Sequence, residues 1–274
     1  MHPDSITWKL LEYYGTRVHH KGKWRIHEFL LKFVNVKSSD LTVEREGLRW
    51  RLNPSDFVHS SLYWRGEFEI WDAFHIRSQV RPDSVIFDLG ANFGYYSVTL
   101  GSLLSSGHVY AFEPSKQTFD RLTTNLKLNG LTDKVTAVNV ALSDSRGEAF
   151  LSSDPENSGH KYVSSEGEAI VLDTLDDFCE RAHITRLDLI KIDIEGNEMR
   201  AFRGAEKTIR QFRPVMMVEI AGAFLEEQGS SAKELVDWIT GLGYQLWEPR
   251  RTKLVPFARI LAKDEFINVF ALPS

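Results

Sequence analysis

The sequence predicts an α/β fold with a doubly wound, mostly parallel, seven-stranded sheet, preceded by an N-terminal accessory region of helix and hairpin. Three observations carry this. From residue 84 onward, short apolar runs alternate with segments of helical period, the pattern of successive strand–helix units. The first run, Val85–Leu89, is continuously apolar but for Asp88 and shows no alternation, as in parallel strands covered on both faces. Composition also shifts: residues 1–80 hold five of the seven Trp and six of the nine His, which sets them apart from the rest.

In the first part, Ile26, Phe29, Leu30 and Phe33 recur at i, i+3, i+4 and i+7, so residues 24–34 read as an amphipathic helix. Leu41 and Val43, then Leu48, Trp50 and Leu52, alternate about Glu46-Gly47 as in a small hairpin. Residues 63–69 read as a loop leading into a helix at 68–79. Residues 1–80 are therefore expected to form the accessory region, with acceptor-side or oligomer contacts, and residues 81–274 the main domain.

Strands follow at 85–89, 108–112, 135–142, 187–194, 215–220, 244–247 and 266–272, the last expected to be antiparallel. Tyr95, Val98, Leu100 and Leu103 mark a helix reaching Ser105. Phe119, Leu122 and Leu126 mark a second, closed by Gly130. Leu235, Val236 and Ile239 mark another. Two short strands, 149–151 and 169–171, flank the polar segment 152–167, and so long a loop within a compact domain suggests function. Ligands of such sheets bind at the carboxyl ends of the strands, where strand order reverses.

The chain of 274 residues carries a net charge of −5, with 12 Lys and Arg against 10 Asp and Glu in residues 1–80. That balance argues against a general nucleic-acid binder. A single cysteine, Cys179, excludes an intrachain disulfide or a thiolate metal cluster and is expected to pack in the core. No apolar run is long enough to cross a bilayer, and the N-terminus lacks the pattern of a secretory signal. The expectation is a cytoplasmic protein, with peripheral membrane contact left open.

Chemistry concentrates at the predicted strand ends. In Asp88-Leu89-Gly90-Ala91-Asn92-Phe93-Gly94 the two glycines let the backbone turn sharply and approach a ligand. Their G-x-x-x-G spacing is not that of a dinucleotide fold, and no Lys-Ser/Thr pair is present to hold a triphosphate. An acid two residues before the first glycine suits a ligand carrying an ammonium and a sulfonium. Glu113, nineteen residues after Gly94, ends the second strand, where an acid accepts hydrogen bonds from ribose hydroxyls. Together these residues point to S-adenosylmethionine as cofactor.

A third motif, Ile190-Lys191-Ile192-Asp193-Ile194-Glu195-Gly196-Asn197-Glu198, ends the fourth strand. In extended chain Asp193 and Glu195 point to one side, where methyl donor and acceptor are expected to meet; Glu198 reads as part of a helix cap. No Asp/Asn-Pro-Pro-Tyr/Phe run is present, which weighs against nitrogen methylation of nucleic acid. Glu219 ends the fifth strand, and Asn157-Ser158-Gly159-His160 lies in the polar loop, poised to close over an acceptor. His19, His20 and His27 lack metal-ligand spacing.

The chain resembles the FkbM-type family of S-adenosylmethionine-dependent methyltransferases. The resemblance runs from Gly66-Glu67-Phe68-Glu69 through residues 86–98, 109–115, 138–144, 157–159 and 190–206 to 214–220. It implies a class I, Rossmann-like methyltransferase fold and, most often, O-methylation of sugar or secondary-metabolite hydroxyls. Carried over residue by residue, it implies that Asp88, Gly90, Asn92 and Gly94, with Ala91 between them, hold the methionine end of the cofactor. Glu113 and Pro114 would lie at the ribose, Leu142, Ser143 and Asp144 beside the adenine, and Asp193 and Glu195 near the transferring methyl. Glu69 joins this cofactor-binding set.

The mechanism expected is in-line attack of an acceptor hydroxyl on the methyl, with a base taking the proton. Asp193 is the first candidate base, followed by Glu219 and His160. No metal site is assigned, although a divalent ion held by Asp193, Glu195 and Glu219 is a competing route. The acceptor is a small molecule or glycan with a free hydroxyl. Aromatic residues in 1–80 could stack on sugar faces, pack an accessory core or form a homo-oligomer surface. Two other functions stay open: a catalytically inactive cofactor-binding interaction module, and an RNA methyltransferase, which the acidic balance disfavours.

Overall fold

The structure is a computed structural model describing residues 5–18, 20–32, 39–154, 157–259, 261–262 and 264–274, with backbone alone for 153, 154 and 157–162. Contacts divide the chain into two compact units, Met1–Ile70 with Asp154–Gly159 and Trp71–Ser153 with His160–Ser274.

In the first unit, a helix over Ile6–Arg17 is capped by Ser5, whose side chain accepts from the Trp8 N–H. The predicted amphipathic helix forms over Lys23–Leu31; Phe33, the last residue of its predicted stripe, lies outside the described residues, as does His19. Strands β1 (Leu41–Arg45) and β2 (Leu48–Leu52) make the predicted hairpin, turning at Glu46 and Gly47, both at positive φ. A turn of π-helix, Ser61–Arg65, reaches into the segment expected to be loop. The core of this unit is aromatic: Trp8 packs 4.9 Å from Trp64 between ring centres, and the Trp8 indole donates to the Tyr63 hydroxyl at 2.8 Å. The apolar stripe of Lys23–Leu31 is not in this core. Lys23 and His27 are its buried residues, whereas Ile26, Phe29 and Leu30 are exposed. Helical period fixes which residues share a face, but not whether that face turns inward.

The second unit is built on an eight-stranded mixed sheet. Its strands are β3 (Val85–Leu89), β4 (His108–Phe112), β5 (Val135–Val138), β10 (Leu189–Ile192), β11 (Val215–Ala221), β12 (Tyr244–Arg250), β13 (Lys253–Pro256) and β14 (Phe266–Pro273). They lie in the order β13-β12-β14-β11-β10-β3-β4-β5. Strands β5, β4, β3, β10 and β11 are parallel, and β14 runs antiparallel between β11 and β12. The order reverses between β3 and β10, and sheets of this kind bind ligands outside the carboxyl ends of the strands at such a point. The sheet thus has one strand more than the seven predicted: β13 turns back on β12, and its four residues are too short to signal themselves in sequence.

The predicted third strand, 135–142, breaks at residues 139–140, and its second piece, β6 (Ala141–Leu142), joins another sheet. That sheet contains β7 (Gly147–Asp154), β8 (Asn157–Ser164) and β9 (Glu168–Asp173) in the order β6-β9-β7-β8. The polar loop expected over 152–167 is therefore largely strand. Its alternation is masked by serines and charges, which leave no apolar face to read.

One face of the main sheet packs Phe87, Leu89, Ile190, Ile192, Met216, Val218 and Ile220 into a core that also takes in Cys179. The other face carries, through the strand register, Asp88 beside Lys191 and Lys191 beside Met217. Polar groups at the carboxyl edge of that second face make the candidate site.

Candidate active site

The loop after β3 is held by hydrogen bonds of its own backbone. The N–H groups of Gly90 and Ala91 both donate to the Phe112 carbonyl, at 3.0 and 2.9 Å, and the Asn92 N–H donates to Glu113 Oε2 at 2.9 Å. Three successive donors that would cradle a phosphate in a phosphate-binding loop are thus tied to the end of β4. Gly90 adopts φ +77°, and a Cβ there would lie 1.9 Å from the Asp193 carbonyl, so this turn admits only glycine. Beneath it, Asn125 donates through Nδ2 to the Phe93 carbonyl at 2.8 Å and locks the loop to the helix Lys116–Leu128. Gly94, at φ +93°, opens the helix Tyr95–Gly101.

Glu113 is buried and fixed twice: Oε2 accepts from Asn92, and Oε1 accepts from the Ser115 N–H at 3.0 Å. Asn139, in the break after β5, donates to the carbonyls of Glu113 and Pro114, both at 2.8 Å. The carboxylate therefore stands at the end of β4 in one orientation, beside the glycine loop.

Asp88 is wholly buried. Ser97 Oγ donates to its Oδ2 at 2.5 Å, and its Oδ1, with no hydrogen-bond partner among the described residues, lies 3.9 Å from Lys191 Nζ. Burial pushes this carboxyl above the usual range, opposed by the Lys191 charge and the Ser97 bond. Lys191 is buried as well, and its ammonium donates to the Gly90 carbonyl and to Asp193 Oδ2, both at 3.2 Å. One cation thus joins the acid below the loop, the loop itself and the acid at the end of β10.

Beyond Ile192 the chain leaves the strand. Glu195 has φ +54° and Gly196 φ +93°, so the extended geometry expected to align Asp193 with Glu195 does not hold. Glu198 shapes this turn: its Oε1 accepts from the N–H groups of Ile194 and Gly196 at 3.0 and 3.2 Å. It braces the loop before the helix, rather than capping the helix end at Asn197, whose own side chain makes no cap bond. Its other oxygen is buried without a partner among the described residues, and burial raises the carboxyl to about 7.

Glu219 lies on β11, two residues beyond Met217 and so on the same face as Lys191, with Asn268 of β14 as its register partner. Burial shifts the Asp72 carboxyl upward, and the nearby Asn268 side chain opposes that shift. Leu142 and Ser143 are buried, Asp144 is exposed, and the Ser143 N–H donates to the Asp173 carbonyl at 2.9 Å. Glu69 belongs to the first unit, at φ +42°. His160 lies on β8 rather than in a loop, and its side chain is outside the described residues. Among the described residues no group of three His, Cys, Asp or Glu is placed to hold a metal ion.

The structure therefore brings Asp88, Gly90, Ala91, Asn92, Gly94, Glu113, Pro114 and Asp193 together at the switch point. Ser97, Asn125 and Asn139 complete the surroundings without having been singled out by sequence, which reads Glu198 only as part of a helix cap and Lys191 only as a member of the third motif. Lys191 had a visible signal, a charge inside the apolar run Leu189–Ile192; the others depend on tertiary partners.

Residues 88–246 match the family described as the methyltransferase FkbM domain. The chain belongs to the FkbM methyltransferase family. Similar proteins include the hexuronic acid methyltransferase AglP of Haloferax volcanii, 29% identical over 148 residues, covering 53% of this chain and 59% of that protein. The 2-O-methyltransferase NoeI of Sinorhizobium fredii is 29% identical over 154 residues, covering 48% of this chain and 62% of its own length. The chain thus spans about six-tenths of the length of these curated relatives. A solved FkbM methyltransferase from Methylobacillus flagellatus aligns over 97% of this chain and 57% of its own, at 15% identity and a TM-score of 0.47.

Proposed function

We propose that this FkbM-family chain binds S-adenosylmethionine at the β3–β4 edge and transfers its methyl to a hydroxyl of a sugar or secondary metabolite. The observation that carries the reading is Glu113, a buried acid held rigid by Asn92 and Ser115 beside a glycine loop whose donors are tied to β4. A fixed carboxylate there suits ribose hydroxyls, and the internally bonded loop does not suit a phosphate. Leu142, Ser143 and Asp144 would border the adenine.

The cofactor supplies an electrophilic methyl on a sulfonium. The chain's part is to orient the acceptor and take its proton as the new C–O bond forms. Asp193 is the proposed base, held through Oδ2 by Lys191, with Glu219 and His160 behind it. Similarity to AglP, named for a hexuronic acid, and to NoeI, named for 2-O transfer, supports a sugar hydroxyl as acceptor.

Asp193→Asn tests the base. Turnover of labelled S-adenosylmethionine with mixed methyl glycosides, hexuronides included, should fall about a hundredfold or more, with affinity for S-adenosylhomocysteine retained. Turnover near that of the parent removes Asp193 from the mechanism.

A further inference from the structure

The N-terminal helices present apolar side chains outward where a water-facing helix would carry polar ones. On Ile6–Arg17, Trp8, Leu11 and Gly15 form the buried stripe. The opposite stripe holds Ile6 at 79% exposure, Leu10 at 62% and Tyr13 at 63%, spaced i, i+4 and i+7 along one line. On Lys23–Leu31, Ile26, Phe29 and Leu30 are exposed at i, i+3 and i+4, with Phe29 at 58%. Six large apolar side chains on two adjoining helices exceed the scattered exposure of an ordinary surface.

Charge on the same helices has one sign once its pairs are removed. Both acids are neutralised from outside the helices: Glu12 by Arg45 and Glu28 by Arg65. Lys9, Arg17 and Arg25, together with Lys21 and Lys32 at the two ends of the second helix, have no such counterpart among the described residues. What remains is an apolar surface fringed by five uncompensated cations.

We propose that the helices Ile6–Arg17 and Lys23–Leu31 dock the protein on an anionic lipid surface. Interfacial helices combine apolar side chains that enter the acyl boundary with Lys and Arg that stay at the headgroups. Charge decides among occupants. A second copy would press the same unpaired cations against these, with like-charge repulsion. A polyanion such as RNA offers phosphates but no apolar phase for Ile6, Leu10 and Phe29. An anionic bilayer answers both features. The face belongs to the first unit and stands independently of the reading of the active site.

The test is co-sedimentation of the full chain with vesicles of phosphatidylcholine alone, or mixed with phosphatidylglycerol. Binding is expected only to the mixed vesicles and should weaken with added salt. Lys21→Gln with Arg25→Gln should weaken partition about thirtyfold, from about a fivefold contribution per lost cation. Leu10→Ser with Phe29→Ser should weaken it about tenfold or more. All four side chains are exposed, so melting temperature should stay that of the parent. Absence of binding to the mixed vesicles, or unchanged binding by the Leu10/Phe29 pair, overturns the proposal. A dimer in light scattering that the Leu10/Phe29 pair turns into monomer also overturns it, by placing a second copy on this face.

Discussion

Replacing Lys191 with Met should cost far more than a typical core substitution, and the structure shows why. The side chain lies among Asp88 Oδ1 at 3.9 Å, Asp193 Oδ2 at 3.2 Å and the Gly90 carbonyl at 3.2 Å. Methionine retains most of the volume but removes the charge. Asp88, wholly buried, is then left with its hydrogen bonding to Ser97. A unit charge pair about 4 Å apart is worth about 4 kcal/mol at an effective dielectric constant near 20. Breaking one side of a buried pair costs about 3–5 kcal/mol. The expected loss is therefore about 3–5 kcal/mol, or roughly 6–20 °C in melting temperature for a unit of this size.

The pH dependence follows from Asp88. Burial already raises its folded-state pKa, and Lys191 opposes that rise. Without Lys191 the folded pKa goes up further, so the native state takes up a proton more readily as pH falls. The deficit should shrink on going from about pH 8 to pH 5. Urea unfolding of parent and variant at both pH values measures it. Adding Asp88→Asn to the Lys191→Met variant should recover a large part of the lost stability. A loss below about 1 kcal/mol, or no recovery on neutralising Asp88, would refute the coupling of these two groups.

Three further outcomes are expected. Glu198→Gln should flatten the pH dependence of stability: burial raises this carboxyl from 4.5 to about 7, so its contribution is full below the unfolded value and is lost as pH rises through about 7. The swing is about 3 kcal/mol, and thermal melts from pH 5 to 8 that parallel the parent would reject it. Gly90→Ala should abolish adenosylhomocysteine binding and destabilise the fold by about 3 kcal/mol or more, from left-handed strain and collision with the Asp193 carbonyl; a soluble variant that binds normally in calorimetry would contradict this. Ser97→Ala should destabilise by about 1–3 kcal/mol, because the buried Asp88 loses its hydroxyl donor; equal urea midpoints would count against it.

Much of this fold is legible in sequence because parallel strands announce themselves. Val85–Leu89 and His108–Phe112 appear at the predicted positions, since largely apolar runs next to glycine turns have few other uses. The same logic fails for β8 and β13, where serines, charges and short length hide the pairing. The helix Lys23–Leu31 shows a different limit: its stripe is visible, but its outward direction depends on what the rest of the unit already buries. At the site, the glycine loop and Glu113 stand out by type and spacing. Their supports do not: Asn125 reaches Phe93 across 32 positions, and Asn139 reaches Glu113 across 26. Asp193 and Glu195 show the error of assuming a straight chain past a strand end, because Gly196 already marks a turn.

The most direct test of the central claim is calorimetric titration of the protein with S-adenosylhomocysteine, using Glu113→Gln as the comparison. The account predicts one-to-one binding by the parent and about a tenfold or greater loss in the variant, since an acid anchored by Asn92 and Ser115 accepts bonds that an amide cannot fully replace. No binding by the parent, or equal affinity in both proteins, would contradict the assignment of this edge as the cofactor site.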